Sequence, residues 1–139
     1  MAKSKRKRKT DRQRLTDRLD KVCREVIRER DNNQCQRCGK IVKGSDSHPC
    51  HVVAKGNGAS LRRWDLLNIF LGCMNCHINW WHKEVTESGK WFAETFPARD
   101  AYLEIYRYGK PAKITTSEME TLYEVLKQKL EDLRGKDAD

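Results

Sequence analysis

Cys35-Gln36-Arg37-Cys38 and Cys73-Met74-Asn75-Cys76-His77 are the two stretches that decide the fold of this 139-residue chain. In each, a tight turn lets two thiolates reach the same ion. Together they supply the four sulfurs of a tetrahedral structural zinc site. The gap between the pairs is longer than in a simple zinc ribbon, so it must hold folded structure. There are six cysteines in all. The N-terminus is charged with no apolar segment behind it, which does not read as a secretory signal. In a reducing compartment, C-x2-C pairs read as metal ligands before they read as disulfides. Closing the clamp would gather His51, Asn68 and His77, far apart along the chain, into one small site.

Working inward from the pairs, His51-Val52-Val53-Ala54 reads as a strand. Lys55-Gly56-Asn57-Gly58-Ala59-Ser60 has the chemistry of a loop, and Leu66 to Leu71 reads as the returning strand. Residues from about Asn75 to Val85 suit a short helix. The expected order is β-β-α, with His51 opening the first strand and Asn68 early in the second.

Working outward, Thr10 with Gln13 can form a capping box. Leu15, Leu19, Val22, Val26 and Ile27 then recur at helical spacing, and Asp31-Asn32-Asn33 stops the helix. Cys23 beside this stripe reads as a packed core thiol. On the other side Glu87-Ser88-Gly89 reads as a helix break. Trp91, Phe92 and Phe96 suggest a short helical piece ended by Pro97. A further helix is expected from Ala98 to Tyr108. The last helix begins at Ser117, capped with Glu120, and presents Met119, Leu122, Leu126, Leu130 and Leu133 to the domain. The expected class is α+β: a disordered basic arm (1–9), an N-terminal helix (10–33), a zinc-stapled core (34–86) and a C-terminal helical extension (87–139).

Hydrophobic residues are 37% and charged residues 35% of the chain, so the apolar core is modest. Structural zinc, worth about 10–16 kcal/mol of apparent binding energy in small peptides, would offset this. The formal net charge is +9. Residues 1–14 hold eight Lys or Arg against Asp11 alone, so the charge is mostly an arm. Lys5, Arg6, Lys7 and Arg8 form its centre and suit a polyanion such as DNA. No stretch approaches the roughly 18 apolar residues of a membrane span.

The order Cys35-x2-Cys38, His51, Asn68, Cys73-x2-Cys76-His77 resembles the HNH, or ββα-metal, endonuclease superfamily. The likeness covers about residues 35–85. Residues 26–133 are also similar to the phage recombination endonucleases known as NinG or Rap, through Val26-Ile27-Arg28-Glu29-Arg30-Asp31, the first C-x2-C-Gly, the His51 segment and the helix ending Gln128-Lys129-Leu130-Glu131-Asp132-Leu133. The resemblance implies a ββα-metal core holding a structural Zn²⁺ on Cys35, Cys38, Cys73 and Cys76. It implies His51 as general base, Asn68 holding His51 in orientation and His77 as ligand of a catalytic Mg²⁺ or Mn²⁺. It implies phosphodiester hydrolysis to a 5′-phosphate and a 3′-hydroxyl, on branched or recombining DNA. A cytoplasmic phage or prophage protein in a bacterial host follows from the same likeness. Cys50 stands where the family often has an Asp or His ligand, and thiolate suits softer ions than Mg²⁺. Water or His82, five positions beyond His77, could complete that shell. His48 reads as a loop residue.

Lys55, Arg62 and Arg63 in the hairpin loop could grip phosphates flanking a cut. Trp80 and Trp81, adjacent on a helix, point about 100° apart and cannot share one core face. One packs inward; the other meets the C-terminal helices or stacks on a splayed base. Tyr102, Tyr106 and Tyr108 are expected between the last helices. Two functions compete: a metal-dependent DNA endonuclease, which as a homodimer would suit two-fold junctions, and a non-catalytic zinc-stapled nucleic-acid-binding protein. A third reading is an assembly protein whose C-terminal helices dock a partner.

Overall fold

The computed structural model describes residues 6–56 and 58–136. Lys5 and the rest of the arm before it, and Asn57 of the loop, lie outside the described residues. Helix α1 (Asp11–Arg30) buries Leu15, Leu19, Val22, Cys23, Val26 and Ile27 on one face. Its capping box is complete: Thr10 and Gln13 each accept the other's backbone N–H. Asn32 and Asn33 end the run with φ of 55° and 53°, a left-handed conformation that Asn tolerates.

Strand β1 (His48–His51) pairs antiparallel with β2 (Ile69–Gly72), His48 opposite Gly72 and His51 opposite Ile69. Between them lie helix α2 (Leu61–Trp64) and a 3₁₀ turn, Leu66–Asn68. After β2 comes a π-helical turn, Cys76–Trp81, then α3 (Val85–Thr95), α4 (Pro97–Tyr102), α5 (Glu104–Arg107) and α6 (Thr116–Lys136). The architecture is α+β, a two-stranded sheet among helices.

All four residues of β2 are buried, because both faces of the strand are covered. Alternation sends Ile69 and Leu71 one way and Phe70 the other. Ile69 and Leu71 join a cluster with Leu19, Ile27, Trp64, Met119 and Leu126, while Phe70 joins Trp80, Trp81, Phe92 and Leu103. Helix α6 closes the first cluster by packing on α1. Arg12, near the start of α1, donates to the Ile114 carbonyl, and Glu29, near its end, pairs with Arg134, so the two helices run parallel. Asp31 locks β2 to the end of α1. Its buried carboxylate accepts the Leu71 N–H at 2.9 Å, and Arg30 donates to the carbonyls of Leu66 and Ile69.

Several elements differ from the sequence expectation. The first strand comes earlier, so His51 closes it instead of opening it. Val52 and Val53 instead bond to Asn68, through its carbonyl and its side chain. The second strand starts only at Ile69. Glu87-Ser88-Gly89 does not break a helix but lies inside α3. Ser88 is buried there and donates to the Trp81 carbonyl, so its small size serves packing. Pro97 opens α4, where its missing N–H costs nothing. The expected 98–108 helix is two pieces that part at Leu103. Thr115 with Glu118, not Ser117 with Glu120, caps α6. No helix among the described residues is long and apolar enough to cross a membrane.

Candidate functional site

Cys35, Cys38, Cys73 and Cys76 converge. Their sulfurs all lie within 4.8 Å of one another. Each pair is shaped by its own turn. Gly39 N–H donates to the Cys35 carbonyl at 2.8 Å, and Gly39 takes a φ of +78° that favours glycine. Cys76 N–H points at the Cys73 sulfur at 3.4 Å. Gln36 N–H donates to the Leu71 carbonyl at 2.8 Å, which draws the first turn against the strand leading into the second. Four sulfurs about 2.3 Å from a tetrahedral zinc stand about 3.8 Å apart. Cys38 and Cys73 sulfurs are 3.9 Å apart, so the set fits one structural metal ion such as zinc. Their acidities diverge, as crowded anions require. Burial opposes ionisation of Cys35, but donors from Cys38, Cys73 and Arg37 bring it down to about 7. Burial and its neighbouring thiols push Cys76 up to about 12.

His51, at the end of β1, holds its ring by an Nε2 contact of 2.9 Å to the Arg63 carbonyl. A carbonyl only accepts, so Nε2 carries the proton and a neutral ring keeps its lone pair on Nδ1. Burial first, and then the charges of Lys55 and Arg63, hold the His51 pKa below its ordinary value. Its neutral form therefore prevails near pH 7. Asn68 is wholly buried and does not touch the imidazole. Its amide donates to the carbonyls of Val53 and Arg62, and its oxygen accepts the Val53 N–H. It thereby ties Val53, just after β1, to α2, whose Arg63 carbonyl holds His51. His51 and His82 line a common cleft of about 680 Å³, with Lys55, Trp81 and Ser88 in its wall.

His77 and His82 meet through the π-helical turn. The His82 N–H donates to the His77 carbonyl at 3.2 Å, an i to i+5 bond. The wider turn puts His82 directly above His77, where an α-helix would swing it off the face. Their Nε2 atoms are 2.9 Å apart. On the other side of the His77 ring, Nδ1 lies 3.0 Å from His48 Nδ1, and His48 Nε2 lies 2.8 Å from the Ser45 carbonyl. Burial and the charges of His82, His48 and His51 pull His77 down to about 4. His48 is thus a strand residue within the cluster, not a loop bystander. The signal that could have found it is the alternation His48, Cys50 on a strand begun three residues earlier.

Other expected residues fall elsewhere. Cys50 is fully buried with Phe70, Trp80 and Trp81, and its thiol faces the His48 carbonyl at 3.5 Å. Burial pushes its pKa up, so it is a core thiol rather than a thiolate ligand. Arg62 is buried on α2, donating to the carbonyls of Tyr106 and Gly109. Arg63 makes a two-pronged pair with Asp20, at 2.9 and 2.7 Å. Neither is a loop guanidinium open to phosphate. Lys55 is exposed and borders His51, as does Arg24 of α1, which the sequence reading missed because it sits in a helix among many cations. Arg6, Lys7 and Arg8 are exposed. Trp80 and Trp81 both pack inward, their rings 6.2 Å apart, because Phe70, Trp91 and Phe92 wrap around them. Tyr102 and Tyr106 both donate to Asp65, while Tyr108 is exposed; none of the three is sandwiched by α6. Comparisons with protein-family models, with curated proteins and with solved structures find no match, so the residues themselves carry the functional reading.

Proposed function

We propose that this chain is a metal-dependent DNA endonuclease built on a zinc-stapled ββα-metal core. One observation carries the reading: a neutral His51 holds its Nε2 proton against the Arg63 carbonyl, which leaves a lone pair on Nδ1 to act as base in a residue that lines a cleft with His82. The order of β1, the 3₁₀ turn leading into β2 and the π-helical turn, bearing His51, Asn68 and His77 respectively, supports it. His51 Nδ1 accepts a proton from the attacking water, a role typically worth about 10²–10⁴-fold. Asn68 keeps the Arg63 carbonyl in place and so aims that nitrogen. Lys55, with Arg24 beside it, holds phosphate near the cut by charge. His77 and His82 offer the paired nitrogens for a divalent ion. The chemistry an ion held there would supply is neutralisation of charge on the phosphate and on the departing oxyanion. Two imidazoles are a softer pair than the expected Mg²⁺ or Mn²⁺ takes and suit Zn²⁺, Co²⁺ or Ni²⁺ better. The preference for branched DNA and the phage origin rest on the family likeness alone.

The test is plasmid nicking by the zinc-loaded protein across Mg²⁺, Mn²⁺, Co²⁺, Ni²⁺ and excess Zn²⁺. Nicking by at least one ion, lost in His51→Ala while DNA binding persists, is the expected result. A wild type that binds DNA and never cuts it is the non-catalytic binding protein instead.

A further inference from the structure

We propose that His48, anchored on the Ser45 carbonyl, is a positioning residue that fixes the tautomer of His77. Each proton along the row of rings is fixed by the one before it. The Ser45 carbonyl is an acceptor only, so the 2.8 Å contact puts a proton on His48 Nε2. A neutral His48 then has a bare Nδ1. That nitrogen lies 3.0 Å from His77 Nδ1, so His77 must donate, and its proton sits on Nδ1. His77 Nε2 is left with a lone pair. It faces His82 Nε2 at 2.9 Å, which donates to it. One backbone carbonyl thus sets the direction of three consecutive hydrogen bonds.

The consequence falls on His77. A free histidine ring can place its proton on either nitrogen; here only one placement satisfies its neighbour. The ring is thereby aimed with Nε2 toward His82 on the cleft side and Nδ1–H toward the sheet. Orientation of a ligating imidazole by an acceptor behind it is worth about 10–100-fold in metal affinity. The acceptor here is another imidazole in place of the usual carboxylate or carbonyl. It is held in turn by the 3₁₀ turn Gly44–Asp46 that carries Ser45. That turn is fastened to the second cysteine pair, since Asp46 accepts the Met74 N–H at 2.9 Å. The tautomer does not depend on the proposed metal site at His77 and His82; only the affinity consequence rests on that reading.

The experiment uses the full chain carrying one equivalent of zinc and ¹⁵N-labelled histidine. Long-range ¹H–¹⁵N correlation spectra at pH 7.5 distinguish an Nδ1–H ring from an Nε2–H ring. His77 is expected as Nδ1–H in the wild type and in His48→Asn, whose side-chain oxygen keeps an acceptor near the place of Nδ1. His48→Phe, which keeps the bulk without the acceptor, should shift His77 toward Nε2–H. A second equivalent of Zn²⁺, followed by calorimetry, should bind His48→Phe about 10–100-fold more weakly than wild type, and His48→Asn within about threefold of it. An Nε2–H ring in wild-type His77, or a His48→Phe variant with unchanged tautomer and Zn²⁺ affinity, overturns the proposal. Should His48→Phe not fold, the wild-type and His48→Asn spectra decide it. A wild type that takes up no second Zn²⁺ sinks the His77–His82 metal site of the nuclease reading, while the tautomer still decides the role of His48.

Discussion

Asn68 shows how one buried amide can organise a site it never touches. Replacing it by Ala leaves the Val53 N–H and two carbonyls without partners. Each buried unpaired group costs about 1–3 kcal/mol. Only the Arg62 carbonyl contact is fully buried, and the two at Val53 are half-exposed to water that can partly replace the amide, so Asn68→Ala is expected to lose about 2–4 kcal/mol in urea unfolding of the zinc-loaded protein. A loss below about 1 kcal/mol would mean that water replaces the amide. His51 makes a prediction about acid. Its pKa is lowered by burial from an ordinary 6.5, so below pH 6.5 the unfolded chain binds the proton more readily than the folded one. Stability from this group is complete above pH 6.5 and falls as pH drops toward the lowered folded value. Nicking follows the same direction, because only the neutral ring accepts a proton. The acid limb of the pH–rate profile should lie below 6.5, and a limb at 7 or above would assign it to another group. Asn68 and His51 could be picked out from their order between the cysteine pairs. His48 was harder to see, because Pro49 after it masks the alternation of His48 and Cys50 that marks the strand. A two-stranded sheet has only edges, and edges accept proline.

At the scale of elements, the join between α1 and β2 rests on Asp31 and Arg30. Asp31→Ala would orphan the Leu71 N–H and an arginine in partly buried surroundings, with an expected loss of about 3–5 kcal/mol. Asp31→Asn keeps an acceptor for Leu71 and should lose less. Equal losses in the two variants, measured by denaturant midpoint, would show that the charge rather than the acceptor matters. Thr115→Ala removes the cap of α6, at a cost of about 0.5–2 kcal/mol. Helix α1 was legible because its apolar stripe and Thr10–Gln13 cap agree. The π-helical turn was not. A spacing of five between His77 and His82 looks off-face by α-helical counting, and nothing local announces a wider turn. Glu87-Ser88-Gly89 misled for a related reason: Ser88 is buried and its small side chain fits beneath Trp81, while Glu87 and Gly89 ride exposed on the same helix.

For the whole molecule, the sulfur quartet joins turns from distant parts of the chain, and three of its cysteines belong to the same buried cluster as α1 and α6. Cys35→Ser or Cys73→Ser is expected to abolish the cooperative melt, as is exhaustive chelation. A zinc-free protein that still melts sharply would contradict the clamp. Deleting residues 1–9 should flatten the salt dependence of DNA binding and leave that melt in place, with each lost phosphate contact lowering the slope by about 0.9.

The sheet also divides the chromophores unequally. Trp64 lies among the aliphatic groups on the α1 side, whereas Trp80, Trp81 and Trp91 gather around Phe70 on the other. Intrinsic fluorescence is therefore weighted toward one half of the protein, and far-ultraviolet dichroism, dominated by the two long helices, toward the opposite half. Loss of the two signals at different temperatures would reveal the halves coming apart in succession, with no label added.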